Sequence, residues 1–194
     1  MLEKVITEEV KDKKLISQLM FSLIVPRPIA WITTVSTEGV VNLAPFSFYN
    51  GITTKPPLVM VSVGKRKDGT RKDTGRNIAQ TGEFVINLVS EEFLEPMVRS
   101  GSDFPPEVSE VEELGLELEP SEIVKPPRIK GVRAALECKL YELIEIGDTP
   151  MDLVIGKVVA FHFDPKLLET SKGVVGRLGG KRYTIIDNEI EIKL

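Results

Sequence analysis

The chain has 194 residues and a formal net charge of −4, with 25 lysine and arginine residues against 29 aspartates and glutamates. This acidic balance argues against nucleic acid as a main partner, because nucleic-acid-binding domains carry basic patches. The single cysteine, Cys138, excludes an internal disulfide and is typical of a reducing compartment. The charged N-terminus lacks the apolar core of a signal peptide, and no apolar run reaches the roughly 20 residues that span a bilayer. We therefore expect a cytoplasmic protein with no membrane contact.

The first third of the chain predicts a helix followed by a hairpin. Residues 14–21, KLISQLMF, place four apolar side chains at helical spacing. This helix should end before Pro26, because the residue ahead of a proline is displaced from the α region. Residues 29–36 read as a β-branched strand, and a glycine turn pairs it with residues 40–43. Pro45 interrupts the second strand, so we expect it at a sheet edge, a bend or a bulge.

The middle of the chain predicts short strands and short helices in alternation. Residues 58–63, LVMVSV, form an apolar run typical of a strand buried on both sides. A short helix is predicted over residues 73–80, with Gly82 as its C-terminal stop. Residues 83–89 read as a further strand, and residues 91–99 as a helix with glutamates at its start and an arginine at its end.

The last part begins with the least regular stretch of the chain. Residues 100–128 are acidic and studded with proline, so we expect a surface excursion, part of which could cover a pocket. Residues 132–146 alternate apolar and polar side chains as in a half-buried strand, with a bulge near the end. Residues 153–163 are its expected partner, and residues 183–194 contain the final short strands.

These elements predict a mainly β fold. Seven to nine strands are joined mostly by turns, with a few short helices and no repeated strand–helix alternation. That pattern favours an antiparallel sheet closed into a small barrel with peripheral helices. The length fits one domain over residues 1–194, with 100–128 as its irregular acidic excursion.

Residues 26–50 gather groups suited to a flat ligand with a phosphate tail. Arg27 stands between two prolines, either as a solvated connector or as a cation held ready for a phosphate or carboxylate. Thr33 and Thr34 are ordinary strand formers that face opposite sides, so at most one of them reaches a given pocket by its side chain. The segment 44–47, APFS, offers a bend, a small side chain and an aromatic ring as a platform for a planar ring system.

A basic loop follows at residues 64–77. Most such loops are solvated faces, and this one lacks the spacing of a Walker phosphate loop. Its second half is more informative, because Asp73 or Thr74 would cap the next helix. Lys72 and Thr74 would then present a cation, a hydroxyl and free backbone N–H groups to an anion.

The sequence offers little catalytic machinery of its own. His162, the only histidine, lies in an apolar strand, where a packed imidazole is the default, and Cys138 reads as a buried core thiol. One histidine and one cysteine do not make a metal site. If the protein carries out chemistry, a bound cofactor must supply most of it.

These residues resemble a known family. The runs RPIAWITTVSTEGVVNLAPFSFYNGITTKPPLVMVSV and RKDTGRNIAQTGEFVINLV, followed by VRAALECKL, LVIGKVVAFHF and GRLGGKRYT, are similar to the flavin reductase-like family with the FMN-binding split-barrel fold. The set RPIAWITT, NLAPFSF, KDT and N is specific only in combination. The resemblance implies a homodimeric antiparallel Greek-key split β-barrel that binds FMN noncovalently.

The resemblance also implies roles for particular residues. The flavin would be lined by Thr33, Thr34, Val35, Ala44, Pro45, Phe46 and Ser47. Its phosphate would be bound by Lys72 and Thr74, with Arg27 and Asn77 as supports. His162 and Arg177 match positions that some relatives place near the site, with His162 as the candidate catalytic residue.

The function expected from this resemblance is oxidoreduction. Members include NAD(P)H-dependent flavin reductases and ferric reductases, in which electrons pass from reduced nicotinamide through bound FMN to a small-molecule or protein acceptor. The alternative is a flavoredoxin-like electron-transfer module with bound FMN and no nicotinamide site of its own. A third possibility is a barrel that has lost its cofactor and serves as an interaction protein.

Overall fold

A computed structural model describes residues 4–102, 104–105, 107–148 and 151–192. Its α-helices are α1 (Lys13–Leu23), α2 (Asp73–Thr81), α3 (Leu94–Arg99) and α4 (Glu110–Glu113). Short 3-10 turns lie at Thr7–Glu9, Glu91–Phe93 and Pro165–Leu168. The strands are β1 (Ala30–Val35), β2 (Val41–Phe46), β3 (Tyr49–Thr54), β4 (Pro57–Gly64), β5 (Glu83–Leu88), β6 (Leu118–Glu119), β7 (Arg128–Ile129), β8 (Ala134–Ile146), β9 (Met151–Phe163), β10 (Val175–Arg177) and β11 (Tyr183–Ile185).

Seven of these strands form one antiparallel sheet in the order β2-β1-β5-β8-β9-β4-β3. The hairpin β8–β9 lies at its centre, and its register shifts twice, between Glu137 and Cys138 and between Leu140 and Glu142. Such shifts increase the local twist of a sheet. The mainly β, antiparallel fold with a few short helices is therefore confirmed. None of the described helices is long and apolar enough to cross a membrane.

The sheet is strongly curled. Strands β2 and β3 occupy its two opposite edges, yet only Ser47 and Phe48 separate them in the chain. Two edges joined by two residues must lie close together, so the sheet wraps round toward a barrel. The β3–β4 ladder continues into this joint, because the backbone N–H of Ser62 on β4 donates to the carbonyl of Phe48 at 2.9 Å.

Apolar side chains fill both sides of the sheet. The interior contains buried residues from β1, β4, β5, β8 and β9, including Ile32, Val61 and Phe84. The outer face near β1 and β2 is covered by α3, α4 and the segment that follows, around Trp31. Trp31 is fully buried and its indole Nε1 donates to the Ser100 hydroxyl at 2.9 Å. The acidic excursion is thus tied to the sheet at its first residue.

Several sequence expectations differ from the structure. Strand β3 was not predicted, because its Tyr-Asn-Gly start reads as a turn and five of its six residues are exposed. Strand β10 lies in what reads as a glycine-rich loop, while the expected terminal strands are limited to β11 among the described residues. The N-cap of α2 is Lys72 rather than Asp73 or Thr74. Gly82 does end that helix, in the left-handed conformation with φ 71°.

Gly156 provides a test of this packing. It lies on β9 between Val59 and Leu140, directly beneath the ring of Phe84. A Cβ atom at this position would lie 2.4 Å from Phe84 Cζ. We expect Gly156→Ala to lower the free energy of unfolding by about 1–3 kcal/mol, because overpacking a filled core displaces its neighbours.

Chemical denaturation measures this effect. Adding Phe84→Leu to the Gly156→Ala variant should recover part of the loss, so the double variant should be more stable than the sum of the two single changes predicts. Strict additivity would mean that the ring and the new methyl group do not collide.

Candidate functional site

One large cleft opens beside the edge strand β2, with a volume of about 670 Å³. Ligand pockets typically enclose about 300–1,000 Å³, so the cleft is large enough for a cofactor. It is lined by Asn42, Ala44, Pro45, Phe46, Lys65, Arg66, Lys67, Asp68, Lys72, Asp73, Thr74, Ser100, Gly101, Ser102, Phe104 and Glu110. The structure therefore brings together two regions that the sequence analysis singled out separately, residues 44–46 and residues 72–74.

One wall of the cleft is flat and largely apolar. Ala44 and Phe46 lie two residues apart on β2 and so project from the same face of the strand. Pro45 also lines the cleft and pairs with Trp31 on β1. Because β2 is an edge strand, Pro45 withholds no hydrogen bond from a second neighbour. Phe104 adds a second aromatic ring to the lining.

A second part of the lining is the N-terminus of α2, which a hydrogen bond from Asn42 to Thr74 holds beside β2. The first-turn N–H groups of a helix have no intrahelical acceptor, and the helix dipole favours an anion there. Lys72 is the N-cap, and its side chain makes no capping hydrogen bond. Thr74 is only 1% exposed, and its hydroxyl accepts a hydrogen bond from Asn42 Nδ2 at 3.0 Å. Among the described residues that hydroxyl donates to none, so its proton is available to a ligand in the cleft.

A basic hairpin joins β4 to α2 and borders the same wall. Lys65 and Arg71 form an antiparallel bridge across it. Arg71 Nε donates to Asp152 Oδ2 at 2.8 Å, and Nη2 lies 3.4 Å from Oδ1. Asp152 is buried on β9, and its hydrogen bond raises the pKa of Arg71. This pair therefore fixes the hairpin to the barrel.

The charges around the cleft are mixed rather than uniformly positive. Asp73, in the first turn of α2, pairs with Arg66 at 2.5 Å and with Arg76 at 2.6 Å. Glu110 is nearly buried, and its Oε2 accepts the backbone N–H of Leu43 at 2.9 Å. Burial raises the pKa of Glu110 and outweighs the hydrogen bond from Leu43, which lowers it; the charge of Asp73 adds a small further increase. The charge of Lys72 is, by contrast, free of a carboxylate partner within 4 Å in the part of the chain described.

Arg27 does not line this cleft. It is buried, with its guanidinium carbon 5.6 Å and 5.7 Å from the ring centres of Phe21 and Phe48. Its N–H groups donate to the carbonyls of Phe21, Ile24 and Leu178 and to the hydroxyl of Ser47. Burial, followed by the charge of Arg177, lowers the pKa of Arg27. In this structure Arg27 connects the end of α1 to the joint between β2 and β3.

The threonines of β1 face opposite sides, as the strand period requires. Thr33 donates to the carbonyl of Pro127 at 2.6 Å, on the outer face. Thr34 accepts from Asn77 Nδ2 at 3.0 Å, so it and Asn77 lie behind the cleft wall rather than in its lining. Val35 lines a smaller cleft of about 400 Å³, between the end of α2 and Pro126. Their role in cofactor binding stays a prediction.

His162 and Arg177 form separate groups. His162 Nε2 lies 2.6 Å from Oε1 of Glu137, a buried carboxylate that also accepts three backbone N–H groups from residues 122–124. Burial opposes the charge of Glu137, but these contacts outweigh it and lower its pKa. Arg177 lies over the ring of Tyr183, 4.5 Å from its centre, and donates to the Gly180 carbonyl at 2.6 Å. Neither side chain lines the large cleft.

Sequence reasoning missed part of the lining. Ser100, Ser102, Phe104 and Glu110 come from the excursion that carries no periodic pattern. Their only sequence signal was the expectation that part of this segment covers a pocket. Asn42 was missed as well, and a polar amide between apolar strand residues was the signal that could have found it. No cluster of candidate metal ligands occurs among the described residues.

Comparison with known proteins identifies the family. A model of the flavin reductase like domain matches residues 21–177. The chain belongs to the flavin reductase-like family. An uncharacterized protein of Aquifex aeolicus is 42% identical over 190 residues, covering 94% of this chain and 96% of that protein.

Solved structures resemble this flavin reductase-like chain over nearly its whole length. Nitrilotriacetate monooxygenase component B from Bacillus cereus is 35% identical, with 99% of each chain covered and a TM-score of 0.90. The 2-nitrobenzoate 2-nitroreductase NbaA of Pseudomonas fluorescens is 32% identical, with 99% and 96% covered and a TM-score of 0.86. A Shewanella frigidimarina protein described as a flavin reductase with a split barrel domain has 23% identity, 96% and 95% coverage and a TM-score of 0.83. It supports the split-barrel fold alone.

The pair Arg71–Asp152 can be tested directly. Asp152→Asn keeps the shape of the side chain but removes its charge, which leaves a weaker contact beneath the basic hairpin. We expect the variant to lose about 1–3 kcal/mol of stability, the usual size for a buried charged hydrogen bond. Amide hydrogen exchange in residues 64–72 should also become faster.

Glu145→Gln is the matched control. It removes the partner of Lys65 on the same hairpin, but Glu145 is half exposed, and exposed pairs contribute about 0–1 kcal/mol. Equal effects of the two variants on exchange would show that Asp152 does not hold the hairpin.

Proposed function

We propose that this protein is an FMN-binding oxidoreductase of the NAD(P)H-dependent flavin or ferric reductase type. The observation that carries the proposal is the cleft lined by both β2 and α2. In it, apolar side chains lie together with a helix N-terminus and with Lys72, whose charge has no carboxylate partner among the described residues. An isoalloxazine ring suits the apolar side chains, and a phosphate suits the helix N-terminus. The low cysteine content supports a cytoplasmic location.

The chemistry of the lining fits FMN. The Thr74 hydroxyl already accepts from Asn42, so its proton points to an acceptor outside the described contacts. A phosphate oxygen is such an acceptor, and Lys72 with the first-turn N–H groups would complete its shell. Ala44, Pro45 and Phe46 would lie against the ring. We place Arg27, Asn77 and Ser47 behind this layer, where they hold the lining in position.

The protein's contribution to the reaction would be binding and orientation. When bound, FMN supplies the chemistry, accepting a hydride from a reduced nicotinamide and releasing electrons to a small-molecule or protein acceptor. The side chains around the cleft would hold the ring, exclude water from one face and leave the other face open. The names of two relatives above 30% identity, a nitroreductase and a monooxygenase component, support redox chemistry.

We also propose that the protein is a homodimer. The outer face of β4 and β9 is apolar, with Met60 paired to Ile155 and Met60 38% exposed. No described helix packs extensively on this part of the sheet, whereas α3 and α4 cover the part near β2. A sheet face with apolar side chains requires a covering layer. A second copy of the chain is the covering layer that the family resemblance implies.

Lys72→Ala tests the phosphate site. Loss of one charge-assisted contact should raise the dissociation constant for FMN about tenfold, while riboflavin, which lacks the phosphate, should bind equally to both proteins. Flavin fluorescence quenching measures both constants. Lys139→Ala, on the exposed side of β8, is the control and should leave FMN affinity unchanged. Unchanged FMN affinity in Lys72→Ala would remove Lys72 from the site.

Anaerobic mixing with NADH or NADPH tests the electron donor. The FMN-loaded protein should lose its flavin colour rapidly with one of the two nucleotides. A flavin that stays oxidised with both would instead indicate a carrier reduced by a protein donor. A preparation that takes up no flavin would contradict the whole proposal.

Met60→Lys tests the dimer. In the dimer, the new charge would be removed from water and buried in an apolar interface that offers no partner for it. The variant should therefore shift the mass measured by light scattering from dimer toward monomer. Leu168→Lys, at a highly exposed position on a separate 3-10 turn, should remain dimeric. A monomeric wild-type protein would end the proposal.

A further inference from the structure

Glu110 is a carboxylate in the lining of a cleft that we propose binds an anion, where a negative charge is unexpected. It begins helix α4, lines the large cleft and is 7% exposed. One oxygen accepts the N–H of Leu43, on the outer edge of β2, at 2.9 Å. Apart from an interaction with its own backbone N–H, the carboxylate makes no other hydrogen bond among the described residues, and its second oxygen is not sealed in the protein interior. Because the residue lines the cleft, this oxygen is open to whatever the cleft binds.

No cation neutralises this carboxylate. Within the described chain no lysine or arginine lies within 4 Å of it. Asp73, on the helix facing it, adds negative charge, although Arg66 and Arg76 pair with Asp73. The other charged groups around the cleft are Lys65, Lys67, Asp68 and Lys72, and Glu112 and Glu113 are exposed on the same helix as Glu110.

This environment destabilises the ionised form. Burial raises the pKa of Glu110 above its usual range, and the charge of Asp73 acts in the same direction. A dianionic phosphate entering the same cleft would add to this repulsion. A neutral carboxyl group, in contrast, can still accept the hydrogen bond from the Leu43 N–H with one oxygen, and its other oxygen becomes an O–H donor.

We propose that Glu110 takes up a proton when FMN binds, and that its neutral carboxyl group then stands beside the anionic end of the ligand as a hydrogen-bond donor. The inference rests on the proposed function and concerns how the same site is regulated. At low pH the site is ready for the phosphate. At high pH the ionised Glu110 opposes it, so affinity for FMN falls as pH rises.

Glu110→Gln separates this coupling from a structural role. Glutamine has the same shape, still accepts from Leu43 and can donate a hydrogen bond, so it imitates the protonated acid at every pH. FMN affinity should be measured calorimetrically between pH 5.5 and pH 8.5 for both proteins, in buffers without phosphate. At pH 8 the variant should bind FMN about tenfold more tightly than the wild-type protein, and the difference should narrow as the pH falls and Glu110 becomes protonated without the ligand.

Proton counting provides a second readout. Titrations in buffers of different ionisation enthalpy should show that the wild-type protein takes up close to one proton more than the variant at pH 8. Subtracting the proton uptake of the variant from that of the wild-type protein removes the contribution from the ionisation of FMN itself, since both proteins bind the same ligand. Riboflavin should show little difference between the proteins, because it brings no phosphate charge. Glu112→Gln, exposed on the same helix, should behave as wild type.

The unliganded protein gives a third readout. A carboxyl group whose pKa is raised on folding contributes stability that is present at low pH and lost as pH rises through the folded-state pKa. Glu110→Gln should therefore melt a few degrees higher than wild type at pH 8 and at the same temperature near pH 4.

The outcomes are distinguishable. Weaker FMN binding by Glu110→Gln at pH 8 would show that an ionised Glu110 is needed as an acceptor, and equal proton uptake would show that it does not titrate on binding. Either result overturns the coupling and leaves the proposed function standing. Failure of both proteins to bind FMN would overturn the proposed function and the coupling with it.

Discussion

The position of helix α2 is set by buried hydrogen bonds rather than by apolar packing. Of its buried residues, only Ile78 is a large hydrophobe, and Thr74, Gly75 and Asn77 are the others. Thr74 is held by Asn42, and Asn77 holds Thr34 on the neighbouring strand. A helix of nine residues is marginal alone, so these contacts decide where it lies. Hydrogen bonds are directional, which fixes the N-terminus relative to β2 and so determines the shape of the cleft.

Local patterns predicted the parts of the site that are local. Lys72 and Thr74 were predicted as an anion site because a cap, a first turn and a glycine stop lie within ten residues. The segment 44–47 was predicted as a flat wall from its composition. Ala44, Pro45 and Phe46 line the same cleft as Lys72 and Thr74, whereas Ser47 does not line it. Arg27 was ambiguous for a physical reason. Its guanidinium is occupied by carbonyls from α1 and from Leu178, and no spacing rule indicates that contact across the chain.

The acidic excursion at residues 100–128 and strand β3 are parts of the structure that local sequence patterns could not predict. Ser100 is fixed by Trp31, which lies 69 residues earlier, and Glu110 by Leu43, 67 residues earlier. A segment held by such long-range contacts needs no internal period, so periodicity cannot find it. Strand β3 is an exposed edge, where apolar alternation is not required because only one neighbour pairs with it. That residues 1–194 form a single domain stays a prediction.

The basic loop illustrates why counting charges misleads. Arg66, Arg71 and Lys65 pair with Asp73, Asp152 and Glu145, so much of the positive charge near the cleft is already neutralised. Residues 67–70 at the tip of the loop are exposed, whereas Arg71 is tied to the buried Asp152.

What remains for a ligand is Lys67, Lys72, the first-turn amides of α2 and the Thr74 hydroxyl, a site in which fixed dipoles accompany two cations. Dipoles that the fold already holds in place attract a phosphate without the cost of reorienting them. The lining also contains a buried carboxylate, Glu110, which has no cationic partner among the described contacts. Local rules place no carboxylate beside an anion site, and natural proteins depart from such rules chiefly where function requires it.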